Sequence, residues 1–153
     1  MSEGKKGLYF EDVVEGEKHM SPARTVTEAD IQQFAGLSGD YNPLHTDAVF
    51  AETSTPFGKR IAHGALTFAI GTGLEFRQGL FSDTALAFLG TELAFRNPVF
   101  PGDTIHLESR CTGKKETKKG DRGIVEMSGE IVNQRGEVVM TQVNKIMLMR
   151  RPA

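Results

Sequence analysis

With 153 residues, 39% hydrophobic and 25% charged, the chain is long enough for one domain burying about 70% of its unfolded surface, and too mixed in composition to be disordered or fibrous. A net charge of −2 offers no long-range pull on nucleic acid or an anionic membrane, and no run approaches the roughly 18 apolar residues needed to cross a bilayer. The single cysteine, Cys111, excludes an intramolecular disulfide framework and fits a reducing cytoplasm, while the polar stretch Met1–Lys6 has none of the apolar character of a secretory signal.

The chain opens with a short apolar element, Leu8-Tyr9-Phe10, followed by an acidic turn. Residues 17–26 predict a strand, and Pro22, having no backbone donor, assigns part of it to a sheet edge. Thr27-Glu28-Ala29-Asp30 has the spacing of a capping box and starts a helix with an apolar stripe at Ile31, Phe34, Ala35 and Leu37. Gly36 and Gly39 loosen its end. Immediately after it, Asp40 and His45 stand five residues apart around Asn42-Pro43, a step that must turn or extend because Pro43 pushes its predecessor out of helical geometry. A carboxylate and an imidazole projected from one stiff turn suit general acid/base chemistry.

Residues 46–52 have one more short helical pattern, and 53–59, containing Pro56 and Gly58, form a loop. Residues 62–80 then carry apolar side chains nearly all round a helical wheel, with no charge before Glu75; such a helix is a buried one. Gly71 and Gly73 each cost about 1 kcal/mol relative to alanine there, which implies a close approach to the helix backbone or a kink. From Thr84 onward the period becomes two: strands are expected over 86–95, 104–111, 124–131 and 138–149, separated by turn residues at Asn97-Pro98, Pro101-Gly102-Asp103, 120–123 and 134–137. One buried helix followed by a run of antiparallel strands implies a single α+β domain over 1–153, its sheet curled around the helix.

Phe34, Ser38, Gly39, Asp40, Asn42, Pro43, Leu44 and His45 together resemble the signature of the MaoC-like, or hydratase 2, family of (R)-specific enoyl-CoA hydratases. Arg60-Ile61-Ala62-His63-Gly64, the opening aromatic-Glu-Asp and Asn97-Pro98-Val99 extend the likeness over most of the chain. The resemblance implies a hot-dog fold with 62–80 as the central helix, and a hydro-lyase that needs no cofactor and acts on an acyl-CoA thioester. It implies Asp40 and His45 as the acid/base pair, the Gly64 amide as donor to the thioester oxygen, and a homodimer. Candidate substrate-binding positions are Asn42, His63 and Thr72, the last standing where well-known members carry a serine. For Asn42 a turn-holding role stands beside an orienting one, and for His63 a helix-capping role stands beside a functional one. A helix N-terminus with unpaired amides suits a developing oxyanion.

Two other groupings carry less. The lysines at 114, 115, 118 and 119 with Arg122 could meet coenzyme A phosphates, but charges at a hairpin tip are ordinarily solvated. No spacing among Asp40, His45, His63 and His106 matches a known zinc signature, so no metal is expected. The alternative class is an acyl-CoA thioesterase of the same fold, or a non-catalytic acyl-CoA binder; the thioesterase would require a working carboxylate in the central helix, where Glu75 lies late.

Overall fold

The computed structural model describes residues 7–152; the polar segment Met1–Lys6 lies outside them. The predicted α+β arrangement is what the chain adopts. Strands β1 (Lys18–Met20), β2 (Arg24–Thr25), β3 (Ala85–Phe95), β4 (Thr104–Glu116), β5 (Arg122–Asn133) and β6 (Val138–Met149) form one antiparallel sheet in the order β1-β4-β5-β6-β3, with β2 also on β4. Among the described residues a single 3-10 turn, Phe10–Asp12, and four α-helices accompany it: α1 (Glu28–Ser38), α2 (Pro43–Thr46), α3 (Ala48–Ser54) and α4 (Gly64–Arg77). None of the helices is long and apolar enough to cross a membrane.

The strand expected over 17–26 is instead two short ones. Between them Ser21 replaces ladder bonding with its own groups, its amide donating to Leu107 O and its hydroxyl accepting from Leu107 N, both at 2.9 Å. Pro22 then needs no ladder partner, and both pieces lie at the sheet edge as its presence requires. Strand β4 runs on to Glu116, beyond the expected end at 111, because a bulge between Cys111 and Gly113 shifts the alternation without ending the pairing.

Helix α1 has its capping box: Asp30 N donates to Thr27 Oγ1 at 3.1 Å and Thr27 N to Asp30 Oδ2 at 2.8 Å. It buries Ile31 and Ala35, but Leu37 is 84% exposed and leaves the expected stripe. Gly36 lies inside the helix rather than at its end, which is made by Gly39 in left-handed geometry, φ 78°, donating to Ala35 O.

Helix α4 packs on the concave face of the sheet, over Ile105, Leu107, Ile131 and Met140. The approach is close at Gly71, where an added Cβ would stand 2.7 Å from Ile131 Cδ1; Gly73 faces open space and has no such reason. The opposite face of α4, with Ala65, Ala69, Thr72, Gly73 and Phe76, is exposed, so the chain alone buries one side of a helix whose composition suits burial on all sides.

The core is divided. One apolar cluster contains Ile31, Ile70, Ile105 and Met140, and a second contains Phe10, Val13, Met127 and Leu148. A polar layer runs between them: Ser109 Oγ donates to Gln78 Oε1 at 3.0 Å, Asn144 Nδ2 donates to Glu75 Oε2 at 3.0 Å, and Thr91 Oγ1 donates to Asn144 Oδ1 at 2.7 Å. Glu75 Oε1 and Gln142 Oε1 are enclosed with no partner. Burial pushes the Glu75 carboxyl up from 4.5, the Asn144 bond opposing.

The folded chain therefore holds the Glu75 proton more tightly than the unfolded one does, so its contribution is full below about 4.5 and lost as pH rises through the folded-state value. Glu75→Gln, which keeps an acceptor for Asn144 and removes the charge, is expected to melt a few degrees above the wild type at pH 7.5 and to converge with it toward pH 4.5. Calorimetry at the two pH values measures this; a constant gap would contradict it.

Candidate active site

The turn between α1 and α2 is built from short side-chain to backbone bonds. Ser38 Oγ donates to Phe34 O at 2.7 Å and accepts from Asp40 N at 3.2 Å; Asp40 Oδ1 accepts from Asn42 N at 3.2 Å; Asn42 Oδ1 accepts from Leu44 N at 3.0 Å. Asn42 is thus the N-cap of α2, with Pro43 in the first helical position, where a missing N–H costs nothing. Thr46 Oγ1 closes the turn on the Tyr41 and Asn42 carbonyls. The Asn42 side-chain oxygen is taken up by this architecture.

Two longer-range bonds fasten the turn to the segment before α4. His45 Nδ1 lies 2.8 Å from Ile61 O, and His63 Nε2 lies 2.9 Å from Asp40 O. A carbonyl only accepts, so each of these nitrogens carries the hydrogen, and in the neutral rings the lone pairs fall on His45 Nε2 and His63 Nδ1. The rings stack with centroids 3.8 Å apart and planes at 29°, and Phe34 packs on His63 at 5.0 Å. His63 is 2% exposed, makes no capping bond at the start of α4, and leaves its Nδ1 enclosed and unpartnered. Its geometry is that of a brace under His45 and Asp40. The sequence offered no signal for that brace, since the contact spans 23 residues.

Gly64 is the first residue of α4, so its amide has no partner within the helix. A Cβ there would stand 2.8 Å from Phe95 Cζ, so a side chain has no room. His45 and Gly64 line one cavity of about 380 Å³, together with Leu44, Thr67, Phe95 and Val99. Thr67, not Thr72, is the helix hydroxyl in this cavity. Thr72 is exposed, donates to Ala69 O at 2.7 Å, and lines a second cavity of about 340 Å³ with Glu75, Phe76 and Phe88. The structure therefore brings together Asp40, His45, His63 and Gly64 and sets Thr72 apart from them. The basic hairpin is remote as well: Lys114 lies nine residues along β4 from Ile105, roughly 30 Å at the rise of a strand. Its ammonium donates to Val13 O at the far end of the sheet.

One donor atom each from Asp40, His45 and His63 fall within 4.8 Å of one another, a grouping that sequence spacing did not reveal. These three are the residues that could hold a cation. Stacked imidazoles, however, aim their lone pairs side by side rather than at one point, which is a poor start for tetrahedral coordination. The arrangement instead presents a carboxylate, an imidazole lone pair and a helix-terminal N–H within one small region.

The MaoC like domain family profile matches residues 10–133. The chain belongs to this family. It is 36% identical over 113 residues to an (R)-specific enoyl-CoA hydratase from Aeromonas caviae, covering 74% of this chain and 79% of that protein. Protein MaoC of Klebsiella aerogenes is 41% identical over 115 residues, 74% of this chain but 33% of the longer relative. Among solved structures, the MaoC-like dehydratase from Rhodospirillum rubrum superposes with a TM-score of 0.86 at 35% identity, over 96% of this chain and all of that one. A Mycobacterium tuberculosis protein described as a double hotdog fold matches with a TM-score of 0.80 at 21% identity, over 95% of this chain and 45% of that one, and this likeness identifies the fold. MaoC family relatives are hydratases and dehydratases, so the hydro-lyase class expected from the motif agrees with the company this chain keeps.

The contact between Phe95 and Gly64 is checked by Gly64→Ala. The added methyl must displace the Phe95 ring, which is 55% exposed and can swing outward. The variant is expected to fold with little loss of stability and with Phe95 displaced in a crystal structure; an unmoved ring would contradict the geometry.

Proposed function

We propose that this chain adds water across the double bond of a 2-enoyl-CoA, or removes it from the 3-hydroxyacyl-CoA, with (R) stereochemistry and no cofactor. The observation that carries the reading is that a carboxylate oxygen of Asp40 and a ring nitrogen of His45 lie within 4.8 Å of each other, while His45, its Nδ1 engaged by Ile61 O, lines one cavity with Gly64 at the start of α4. In the hydration direction, His45 and Asp40 hold a water; His45 Nε2 takes a proton from it as its oxygen bonds to C3. The π electrons move toward the thioester oxygen, where the Gly64 N–H donates a hydrogen bond to the growing negative charge. The same pair returns one proton to C2. One oxyanion donor contributes about 3 kcal/mol and one acid/base group about 10²–10⁴-fold in rate. His63 acts as a positioning residue, Asn42 as the cap that holds the turn. Thr72 faces the second cavity, and a role for it in binding the acyl group would require the chain to reach that far.

The thioesterase reading loses ground at Glu75. One of its carboxyl oxygens is bonded to Asn144 and the other is enclosed, so neither faces a substrate.

We also propose that the active form is a homodimer in the cytoplasm. Among the described residues strand β3 bonds only to β6, leaving its other edge without a partner there, and it presents exposed Leu86, Phe88, Leu89 and Phe95. Free apolar edges are ordinarily paired, and a twofold pair is the commonest way. Light scattering is expected to give twice the chain mass, and Leu89→Arg to give the single-chain mass; a wild-type monomer at micromolar concentration would overturn the assembly.

Catalysis is tested with a panel of 2-enoyl-CoA substrates, followed by loss of enoyl-thioester absorbance and chiral analysis of the product. Asp40→Asn and His45→Gln are each expected to lower turnover by at least ~10²-fold, with the double variant hardly worse than the poorer single, because neither group works on a water the other no longer aligns. Free thiol without hydroxyacyl product, or multiplicative losses in folded protein, would defeat the reading.

A further inference from the structure

The rim of the His45 cavity carries a cation that none of the described residues neutralises. Arg96 lines that cavity, and among the described residues its guanidinium has no hydrogen bond, ion pair or aromatic partner. The cations of the neighbouring segment 59–60 differ from it: Arg60 is paired with Glu28 at 2.5 Å, and the Lys59 ammonium sits over the Phe100 ring at 4.3 Å. No aspartate or glutamate lines the same cavity, whose other walls are mainly apolar. The main chain that carries Arg96 is fastened, with Arg96 N donating to Val139 O at 2.9 Å and Asn97 Nδ2 to Val138 O at 2.7 Å.

We infer that Arg96 is a specificity residue that receives an anionic group of the thioester substrate while the enoyl group lies at His45 and Gly64. The inference rests on the hydratase reading above. A guanidinium presents parallel N–H donors that match carboxylate and phosphate oxygens, and a fixed backbone reduces the ordering needed to use them. An acyl-CoA substrate supplies such oxygens from two sources: the phosphates of the carrier, or a second carboxylate on the acyl chain. The remote lysine hairpin supplies no competing receptor near this cavity.

Four substrates separate the sources: a 2-enoyl thioester with an uncharged acyl chain and one with a terminal carboxylate, each made on coenzyme A and on pantetheine, which lacks the phosphates. For Arg96→Gln, kcat/KM is expected to fall roughly 10- to 100-fold, the range for a lost charge-assisted bond, on substrates that carry the relevant anion. Arg96→Lys is expected to recover part of the loss. A fall on both coenzyme A thioesters, with neither pantetheine thioester affected, assigns the carrier phosphate. A fall on both carboxylate-bearing thioesters, with uncharged ones unaffected, assigns the acyl carboxylate. No fall on any substrate, or an equal fall that includes the uncharged pantetheine thioester, overturns the inference. If the wild type turns over none of the four, the hydratase reading has failed. Calorimetric titration of the same four compounds into wild type and Arg96→Gln then still decides the anion contact, by a weakened affinity for anion-bearing compounds or by none.

Discussion

The seating of α4 on the sheet governs the rest of the structure. With no side chain at Gly71, the helix backbone comes down onto Ile131, and its height above the sheet is set by that contact. The height places Gly64 directly beneath the Phe95 ring at the end of β3. His63, one residue earlier, is thereby carried to the position from which it donates to the Asp40 carbonyl and supports the His45 ring. A packing constraint in the core is in this way transmitted to Asp40 and His45 through three residues. The reason is mechanical: close-packed interiors pass on displacements rather than absorbing them.

Much of this could be read before any coordinates. The Asn42-Pro43 step forces a stiff turn whatever surrounds it, so Asp40 and His45 were visible as a pair from local chemistry alone. Strand β6 matched its expected limits, its inward and outward residues alternating from Met140 onward. Elsewhere the signal was lost for identifiable reasons. Ser21 bonds through its hydroxyl, so a continuous-looking strand is two. The bulge before Gly113 inverts the alternation and hides the last part of β4. The bracing role of His63, the partners of Glu75 and the position of Arg96 at the cavity rim depend on contacts between distant segments, and no periodicity encodes them. Thr72 lines a different cavity from His45 because its helix phase, five residues past Thr67, turns it away.

The polar layer beneath α4 is the least economical part of the fold. Asn144 is fully buried and uses both ends of its amide, yet Glu75 and Gln142 each retain an unpartnered oxygen. Buried polar groups of this kind favour one arrangement over near alternatives at a cost in stability. Here they fix the lateral position of the helix over the strands, a degree of freedom that the apolar clusters on either side leave soft.

The bonds that shape the Asp40–His45 turn span two to five residues, whereas those that complete it reach 16 residues to Ile61 and 23 to His63. Local contacts close quickly and distant ones wait for the chain to fold back. The turn is therefore a motif that an emerging polypeptide can shape by itself, while the orientation of both imidazoles is settled only when the start of α4 docks. The proposed site is therefore completed late in folding, and a partly folded chain would carry the signature residues without the two imidazoles in place.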